Sequence, residues 1–283
     1  MKIKNICRRI IPAAAVGALI FTVALLIIRP DFRFMAQTVL ERIGGETVTE
    51  IDGDKLEVER IDIKDIENKS QSLMLVNGDH RLDGSFYPEL GEYNGVTMNS
   101  AAVEDFGRLC ADVKEKYGES LYVMSSYRTA EEQSEILDEQ GSDTAQYVGA
   151  SEHQTGLALD VYVQNYSGRA FLKSEAGRYV NEHCSDYGFI IRYPLLKSSV
   201  TKIDYEPWHL RYVGQPHAEL ISKGYVTLEE YYGALEYGKF YRYKNYIISR
   251  QKGETASVPA DCTVELSCDN CGGYILTCEM QGE

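Results

Sequence analysis

The 283-residue sequence predicts an α+β fold: a mostly antiparallel sheet flanked by helices, with an N-terminal transmembrane helix and a small C-terminal β appendage. Two observations predict it. Segments with helical and strand-like periodicity follow one another without the regular strand–helix–strand alternation of a parallel sheet. The first thirty residues combine a basic flank with a long uncharged run, which is typical of a membrane anchor.

The uncharged run covers residues 10–28 and follows four basic residues. About 20 apolar residues span the hydrocarbon core of a bilayer, and no A-x-A-like cleavage site follows this run. We therefore expect residues 1–30 to form a cytoplasmic flank and a single-pass signal anchor in the cell membrane, with the rest of the chain extracytoplasmic. A cleaved signal peptide is the alternative, and it also leads to export.

Residues 31–72 are polar and charged and contain few aromatic residues, which predicts an extracytoplasmic stalk. A compact domain is expected over residues 73–238. The formal net charge of the chain is -14. This charge disfavours a nucleic-acid partner, because phosphate binding needs clustered lysine and arginine side chains.

Helices are predicted at four places in the compact domain. Apolar residues step by three and four from Val103 to Tyr117, and the next residue is a glycine that ends the helix. A second apolar face lies on residues 176–187 and is also followed by a glycine. The sequences "TAEE" at 129–132 and "TLEE" at 227–230 are capping boxes and mark two further helix starts.

Strands are predicted for "LYVMSSYR", "GLALDVYV" and "WHLRYV", which alternate or are rich in β-branched and aromatic residues. Beyond residue 238 the short segments "YIIS", "TVELS" and "GYILT" also have strand character. Residues 239–283 are therefore expected to form a small β appendage that contains cysteines.

Four of the seven cysteines lie in this C-terminal segment. In an exported protein disulfides are expected, and three connectivities are open for Cys262, Cys268, Cys271 and Cys278. A structural zinc is the alternative, although the spacing C-x5-C-x2-C-x6-C is a poor match to zinc ribbons.

The stretch "GASEHQTGLALDV", residues 149–161, places a histidine and an aspartate seven positions apart. His153 lies in a polar loop, Gly156 permits a tight turn, and Asp160 is in the middle of a predicted strand. An ionised aspartate in a buried sheet is costly unless it is paired or bound to a metal. The stretch is therefore either a turn and a strand that happens to carry an acid, or the source of two metal ligands.

A second stretch, "YEPWHLRYVG", favours the metal site. Pro207 keeps Glu206 out of helical geometry and bends the approach to the strand that contains His209. A His–Asp–His set leaves one tetrahedral position open, which is typical of a catalytic rather than a structural zinc. Zinc lowers the pKa of water, and a carboxylate beside the ligands that is not itself a ligand is placed to act as general base.

These two stretches carry a family resemblance. "SEHQTGLALD" matches S-x-H-x-x-G-x-A-x-D and "EPWH" matches E-x-W-H, so the chain resembles the LAS-type zinc peptidases and, within them, the VanY-like D-alanyl-D-alanine carboxypeptidases. "SSYRTAEEQ" and "YGFIIRYP" resemble segments of the same group, and the likeness extends over residues 73–232. The resemblance implies His153, Asp160 and His209 as ligands of Zn2+, and Glu206 as the catalytic base.

The resemblance also implies the substrate-binding residues. Arg128 would bind the substrate carboxylate or the oxyanion of the tetrahedral intermediate, and Gln133 and Ser151 would line the substrate site. Arg192 and Arg211 remain open, since each could contact substrate or form a structural ion pair.

The function expected from the resemblance is zinc-dependent hydrolysis of the C-terminal D-Ala from peptidoglycan stem peptides, by a zinc carboxypeptidase domain at residues 73–238. One alternative is an L,D-carboxypeptidase that acts on tetrapeptide stems. Another is a non-catalytic wall-binding protein on the same fold, which the complete ligand set and Glu206 argue against. The expected partners are the stem peptide and, through the anchor, the membrane.

Overall fold

The computed structural model describes residues 29–42, 49–141, 145–224 and 226–281. The helices are α1 (Pro30–Arg42), α2 (Ser100–Tyr117), α3 (Ala130–Gln140), α4 (Glu175–His183), α5 (Ser198–Thr201), α6 (His217–Gly224) and α7 (Leu228–Ala234). The strands are β1 (Thr49–Ile51), β2 (Val58–Asp62), β3 (Lys69–Ser70), β4 (Leu90–Tyr93), β5 (Val96–Asn99), β6 (Tyr122–Ser125), β7 (Ala158–Tyr162), β8 (Phe189–Ile191), β9 (His209–Tyr212), β10 (Phe240–Tyr243), β11 (Tyr246–Gln251), β12 (Thr255–Pro259), β13 (Cys262–Cys268) and β14 (Tyr274–Met280). Short 3-10 turns occupy Gly53–Lys55, Glu152–Thr155, Gly168–Lys173 and Cys184–Tyr187.

A four-stranded antiparallel sheet, the central sheet, has the strand order β6-β7-β9-β8. Helices α2 and α4 pack together, and their buried side chains form one apolar cluster with those of the central sheet. Leu159 and Val161 of β7 are fully buried in this cluster, where Phe106 of α2 lies edge-on to Phe189 of β8. The cluster fixes β7 and β9 as neighbours, which positions the polar residues they carry.

Helix α2 shows how local sequence defines these elements. The Asn99 side chain accepts a hydrogen bond from the Ala101 amide at 3.1 Å, which caps the N-terminus. Gly118 adopts a left-handed conformation and donates its amide hydrogen to the Lys114 carbonyl, which ends the helix. The predicted capping boxes of α3 and α7 are also present, with reciprocal bonds in both.

The C-terminal strands belong to a six-stranded sheet of order β1-β10-β11-β14-β13-β3, in which only β3 and β13 pair in parallel. Strand β2 pairs with β12 as a separate ribbon. Strands β1, β2 and β3 come from residues 49–70, within the predicted stalk. Side chains from both ends of the chain bury a common apolar cluster that includes Ile66, Ile247 and Leu276.

The predicted fold class is wrong. Its small C-terminal β appendage is instead part of a sheet completed by N-terminal strands, because the tail strands alone would leave their apolar faces open to water. In the described ranges no helix is long and apolar enough to cross a bilayer. The predicted transmembrane helix falls on residues 1–30, of which 1–28 lie outside the described residues. The corrected class is a mixed α+β fold.

The cysteines of the tail lie on β13, on β14 and in the turn between them. The described cysteines are all thiols in this structure. Because Val264 pairs with Cys278 across the ladder, Cys262 is the diagonal neighbour of Cys278, and the Cys262 thiol donates to the Pro259 carbonyl at 3.2 Å. Cys268 and Cys271 flank the turn. The predicted oxidation of these residues stays a prediction.

Candidate metal centre and active site

Three of the predicted site residues converge at one end of the central sheet. Asp160 on β7 pairs directly with His209 on β9, and its carboxylate lies 2.9 Å from His209 Nδ1. His153, in the turn before β7, places its Nε2 at 3.3 Å from the same carboxylate. One ligand atom from each of the three residues lies within 4.8 Å of the others. All three side chains are largely buried.

The turn between His153 and Asp160 depends on Gly156. This residue has φ 69° and ψ 1°, and its amide donates to the His153 carbonyl at 3.1 Å. A Cβ atom added here would lie 2.7 Å from the backbone nitrogen of Asn99. Both the conformation and the close approach require glycine, and together they place His153 against the start of β7.

Substituting Gly156 by alanine is expected to lower the free energy of unfolding and to weaken metal binding. A non-glycine residue in the left-handed region costs about 1–3 kcal/mol, and the contact with Asn99 adds to this cost. Gly118→Ala is the matched control, because Gly118 has φ 67° and ψ 1° with no atom within 4 Å of an added Cβ. Chemical denaturation of both metal-free variants measures the difference. Equal losses in the two variants would contradict the steric account.

Glu206 approaches the cluster through a tight turn. The His209 amide donates to the Glu206 carbonyl at 3.2 Å, and Pro207 occupies the turn, as the predicted bend requires. The Glu206 carboxylate lies 3.7 Å from His209 Nδ1, and its side chain is 29% exposed. The carboxylate is therefore next to the cluster and still reached by solvent.

Burial and charge determine the ionisation of these groups. Burial alone would lower the pKa of His209, but the carboxylates of Asp160, Glu152 and Glu206 outweigh it and raise that pKa to about 9. Burial opposes ionisation of Asp160, yet the two imidazoles hold its pKa well below the usual range. The pKa of Glu206 is raised, mainly by burial. Burial lowers the pKa of His153, because it disfavours the charged form of the imidazole.

The three side chains fit a zinc ion. His153 Nδ1 lies 2.9 Å from the Ser126 carbonyl, which can only accept, so Nδ1 carries the proton and Nε2 offers its lone pair. With zinc bonds of 2.0–2.2 Å in tetrahedral geometry, ligand atoms lie about 3.3 Å apart. The contacts of Asp160, at 3.3 and 2.9 Å, are close to this spacing. Two imidazoles and one carboxylate are also a donor set that zinc prefers.

The cluster opens into a cavity of about 800 Å³ that also contains the predicted substrate-binding residues. The Arg128 guanidinium donates to Gln133 Oε1 at 2.9 Å and to Ser125 Oγ at 3.1 Å. Gln133 in turn donates to the Gln146 carbonyl at 2.6 Å. Ser151 is buried in the cavity wall. Gln133 is 1% exposed, and its side-chain amide is engaged by Arg128 on one side and by the Gln146 carbonyl on the other.

The remaining cavity wall is mixed in character. Met124 and Ile136 are apolar, Tyr193 and Trp208 are aromatic, and charged residues line the side near Glu206. The Tyr193 ring lies 4.8 Å from the His209 ring. Tyr193 is a site residue that the sequence analysis did not single out, although it lies in the "YGFIIRYP" segment.

The two arginines whose role the sequence left open, as substrate contacts or ion-pair partners, form structural ion pairs. Arg192 and Arg211 are buried, and both donate to the carboxylate of Glu152, at 2.8 and 2.6 Å. Glu152 lies between Ser151 and His153 but was not recognised from the sequence as part of the site. The only signal for it was the presence of two arginines without an assigned partner.

Comparison with known proteins identifies the family. A family model described as VanY, D-alanyl-D-alanine carboxypeptidase, matches residues 95–215. A D-alanyl-D-alanine carboxypeptidase from Enterococcus faecium is 34% identical over 224 residues, which cover 75% of this chain and 68% of that protein. The chain belongs to the VanY family of D-alanyl-D-alanine carboxypeptidases. The predicted resemblance is confirmed, and the chain is an enzyme of a zinc metallopeptidase family.

Three solved structures are similar to this VanY-family chain. A vancomycin-resistance D,D-pentapeptidase VanY variant in complex with Zn(II) is 32% identical, with a TM-score of 0.51 over 57% of this chain and 98% of that chain. VanYB in complex with D-alanine-D-alanine is 31% identical, with a TM-score of 0.52 over 58% and 99%. The LdcB LD-carboxypeptidase is 30% identical, with a TM-score of 0.54 over 64% and 95%.

Proposed function

We propose that this chain is a zinc-dependent D,D-carboxypeptidase that removes the C-terminal D-Ala from peptidoglycan stem peptides. The convergence of His153, Asp160 and His209, with Glu206 beside them in a cavity that also contains Arg128, carries the proposal. Zinc would be held by the first three side chains. A similar protein was solved with Zn(II) and another with D-alanine-D-alanine, which supports both the metal and the substrate.

Zinc, when bound, would polarise the scissile carbonyl and lower the pKa of water. Glu206 acts as general base: its raised pKa and partial exposure suit a carboxylate that takes a proton from the attacking water. Hydroxide adds to the carbonyl carbon, the bond from carbon to nitrogen breaks, and Glu206 passes the proton to the leaving amine of D-Ala. One carboxylate therefore serves both proton transfers.

Arg128 would hold the free carboxylate of the substrate or stabilise the oxyanion. Its bonds to Ser125 and Gln133 use Nε and Nη1 and fix the plane of the guanidinium, and no hydrogen bond from Nη2 is found among the described residues. Ser151 adds a hydroxyl group in the same cavity. We place this catalytic unit in residues 73–238 and outside the cytoplasm, where peptidoglycan is.

The release of D-Ala from synthetic stem peptides tests the proposal. The zinc-loaded full-length protein is expected to cleave a pentapeptide that ends in D-Ala-D-Ala faster than the tetrapeptide derived from it. Similarity to the LdcB LD-carboxypeptidase makes the tetrapeptide the informative competitor. Faster cleavage of the tetrapeptide would assign the protein to the L,D class. No cleavage of either peptide, with zinc bound, would favour a wall-binding role.

Blocking the substrate's terminal carboxylate is expected to lower kcat/KM, and so is Arg128→Lys. A planar guanidinium can hold a carboxylate through two parallel hydrogen bonds, which an ammonium group cannot. Loss of one charged hydrogen bond corresponds to about a 10- to 100-fold effect. Steady-state kinetics of the unmodified enzyme and of Arg128→Lys, each with free and amidated pentapeptides, separate the effect of the substrate carboxylate from that of the guanidinium group. Equal cleavage of the free and amidated peptides by the unmodified enzyme would contradict the proposal that the enzyme binds the terminal carboxylate.

A further inference from the structure

Glu152 lies behind the metal site in a fully buried ion-pair network. The side chains of Glu152, Arg192 and Arg211 are at most 1% exposed. One carboxylate oxygen of Glu152, Oε1, accepts from Arg192 Nε at 2.8 Å and from Arg211 Nη1 at 2.6 Å. The two buried guanidinium groups hold the Glu152 carboxylate in place through charged hydrogen bonds.

The other oxygen of Glu152 faces His209. Within the described residues, Glu152 Oε2 and His209 Nε2 are both buried and both lack a hydrogen-bond partner. The two atoms are 3.8 Å apart. A carboxylate oxygen can only accept and the ring nitrogen can donate, so each atom is the partner that the other lacks. A movement of about 0.9 Å would bring them to hydrogen-bond distance.

We propose that Glu152 is a positioning residue that accepts the Nε2 hydrogen of His209 and so presents Nδ1 of that ring to the metal. The inference rests on the proposed role of His209 as a zinc ligand. A neutral imidazole carries one proton, and an acceptor at Nε2 holds the tautomer whose lone pair is on Nδ1. Nδ1 is also the atom that lies 2.9 Å from Asp160, on the side of the other ligands.

Arg192 and Arg211, which hold Glu152 in this position, are themselves fixed by further hydrogen bonds. Arg192 donates to both oxygens of Glu229, at 2.9 and 2.6 Å, and Arg211 donates to the carbonyls of Ser72 and Met74, at 3.0 and 2.6 Å. Two glutamates and two arginines thus balance in charge. Both contacts of Glu152 with arginine use Oε1, so the structural role leaves Oε2 free for the histidine.

The two ligand histidines would then be oriented by different outer partners. His153 donates from Nδ1 to the backbone carbonyl of Ser126, whereas His209 would donate from Nε2 to a carboxylate. A carboxylate partner makes an imidazole a stronger donor to zinc, and the loss of such an outer partner typically costs 10- to 100-fold in metal affinity or activity.

Glu152→Gln tests the proposal with readouts that do not depend on turnover. The substitution keeps the size of the side chain and removes its charge. Chelator competition is expected to show about 10- to 100-fold weaker zinc binding. The visible spectrum of the cobalt-substituted protein is expected to change, because the orientation of the His209 ring and its donor strength change. D-Ala release plays no part in these measurements, so failure of the proposed function would not affect them.

Glu229→Gln is the matched control. It removes a buried carboxylate from the same network, at Arg192, without contacting His209. Both variants are expected to unfold more easily, but only Glu152→Gln should alter zinc affinity and the cobalt spectrum. Equal effects of the two substitutions on zinc affinity, or no effect of Glu152→Gln, would overturn the proposal.

NMR of the unsubstituted protein gives a test that does not depend on the folding of a variant. In the cadmium-113 form, the metal is expected to couple to Nδ1 of His209, and the Nε2 proton should be protected from exchange with solvent. Coupling to Nε2 instead would overturn the proposal. Absence of any coupling to His209, with metal bound, would contradict the ligand assignment itself and so identify a failure of the proposed site.

Discussion

Replacing Glu206 by glutamine is expected to leave zinc bound and to reduce kcat by about 10²–10⁴-fold, the usual contribution of general acid–base catalysis. Glutamine has nearly the same size but cannot take a proton from water. The loss falls on kcat because Glu206 serves both proton transfers, whereas it is not one of the three proposed ligands. Kinetics with the pentapeptide, together with measured zinc content, test this expectation.

The control is Glu182→Gln, which makes the same chemical change at an exposed position on α4, outside the cavity. It is expected to retain full turnover. Near-normal kcat in zinc-loaded Glu206→Gln would transfer the role of base to another residue. Loss of zinc from that variant would instead indicate that Glu206 is a ligand.

Replacing His209 by alanine is expected to abolish both zinc binding and turnover. Removal of one of three protein ligands leaves a carboxylate and one imidazole, too few for a stable catalytic zinc site. The substitution also leaves Asp160 and Glu152 without the ring that contacts both of them. Elemental analysis after dialysis against a metal buffer measures the loss, and circular dichroism checks that the variant is folded.

His183→Ala serves as the control, because His183 is 40% exposed and pairs with Asp186 on α4 and the following turn, away from the site. It should keep one zinc and full activity. If His209→Ala retained one zinc per chain with undiminished turnover, the assignment of the metal site would fail.

The site was more predictable than the fold around it, because its geometry depends on short sequence distances. Asp160 follows His153 by seven residues through a glycine turn, and Pro207 folds Glu206 back toward His209. One long-range element completes the cluster: the pairing of Asp160 with His209 in adjacent strands. The family motifs implied that Asp160 and His209 bind one metal and therefore lie close together, whereas residue periodicity alone predicted only the two strands.

The tail sheet shows why the rest could not be predicted. Strand β1 pairs with β10 through Thr49 and Arg242, and β3 pairs with β13 through Ser70 and Ser267. Local patterns indicate each short strand but contain no information on partners nearly 200 residues away. Charged segments such as β2, which pairs with β12 in a separate ribbon, have mostly exposed side chains, and this polarity is compatible with either a stalk or an edge strand.

Glu152 was missed for a similar reason. Its partners Arg192 and Arg211 are 40 and 59 residues distant, so no spacing connects them in the sequence. A glutamate beside a ligand histidine is ordinarily a solvated residue. The burial of all three charges is visible only in the folded chain, and it supports the proposed role of the network behind the metal site.

Titration of the metal-free, full-length protein with zinc, with D-Ala release from the pentapeptide as the readout, tests the central claim most directly. The account predicts negligible release without metal and a linear rise to a plateau at one zinc per chain. Full activity in the metal-free protein, or no release of D-Ala at any zinc content, would contradict it.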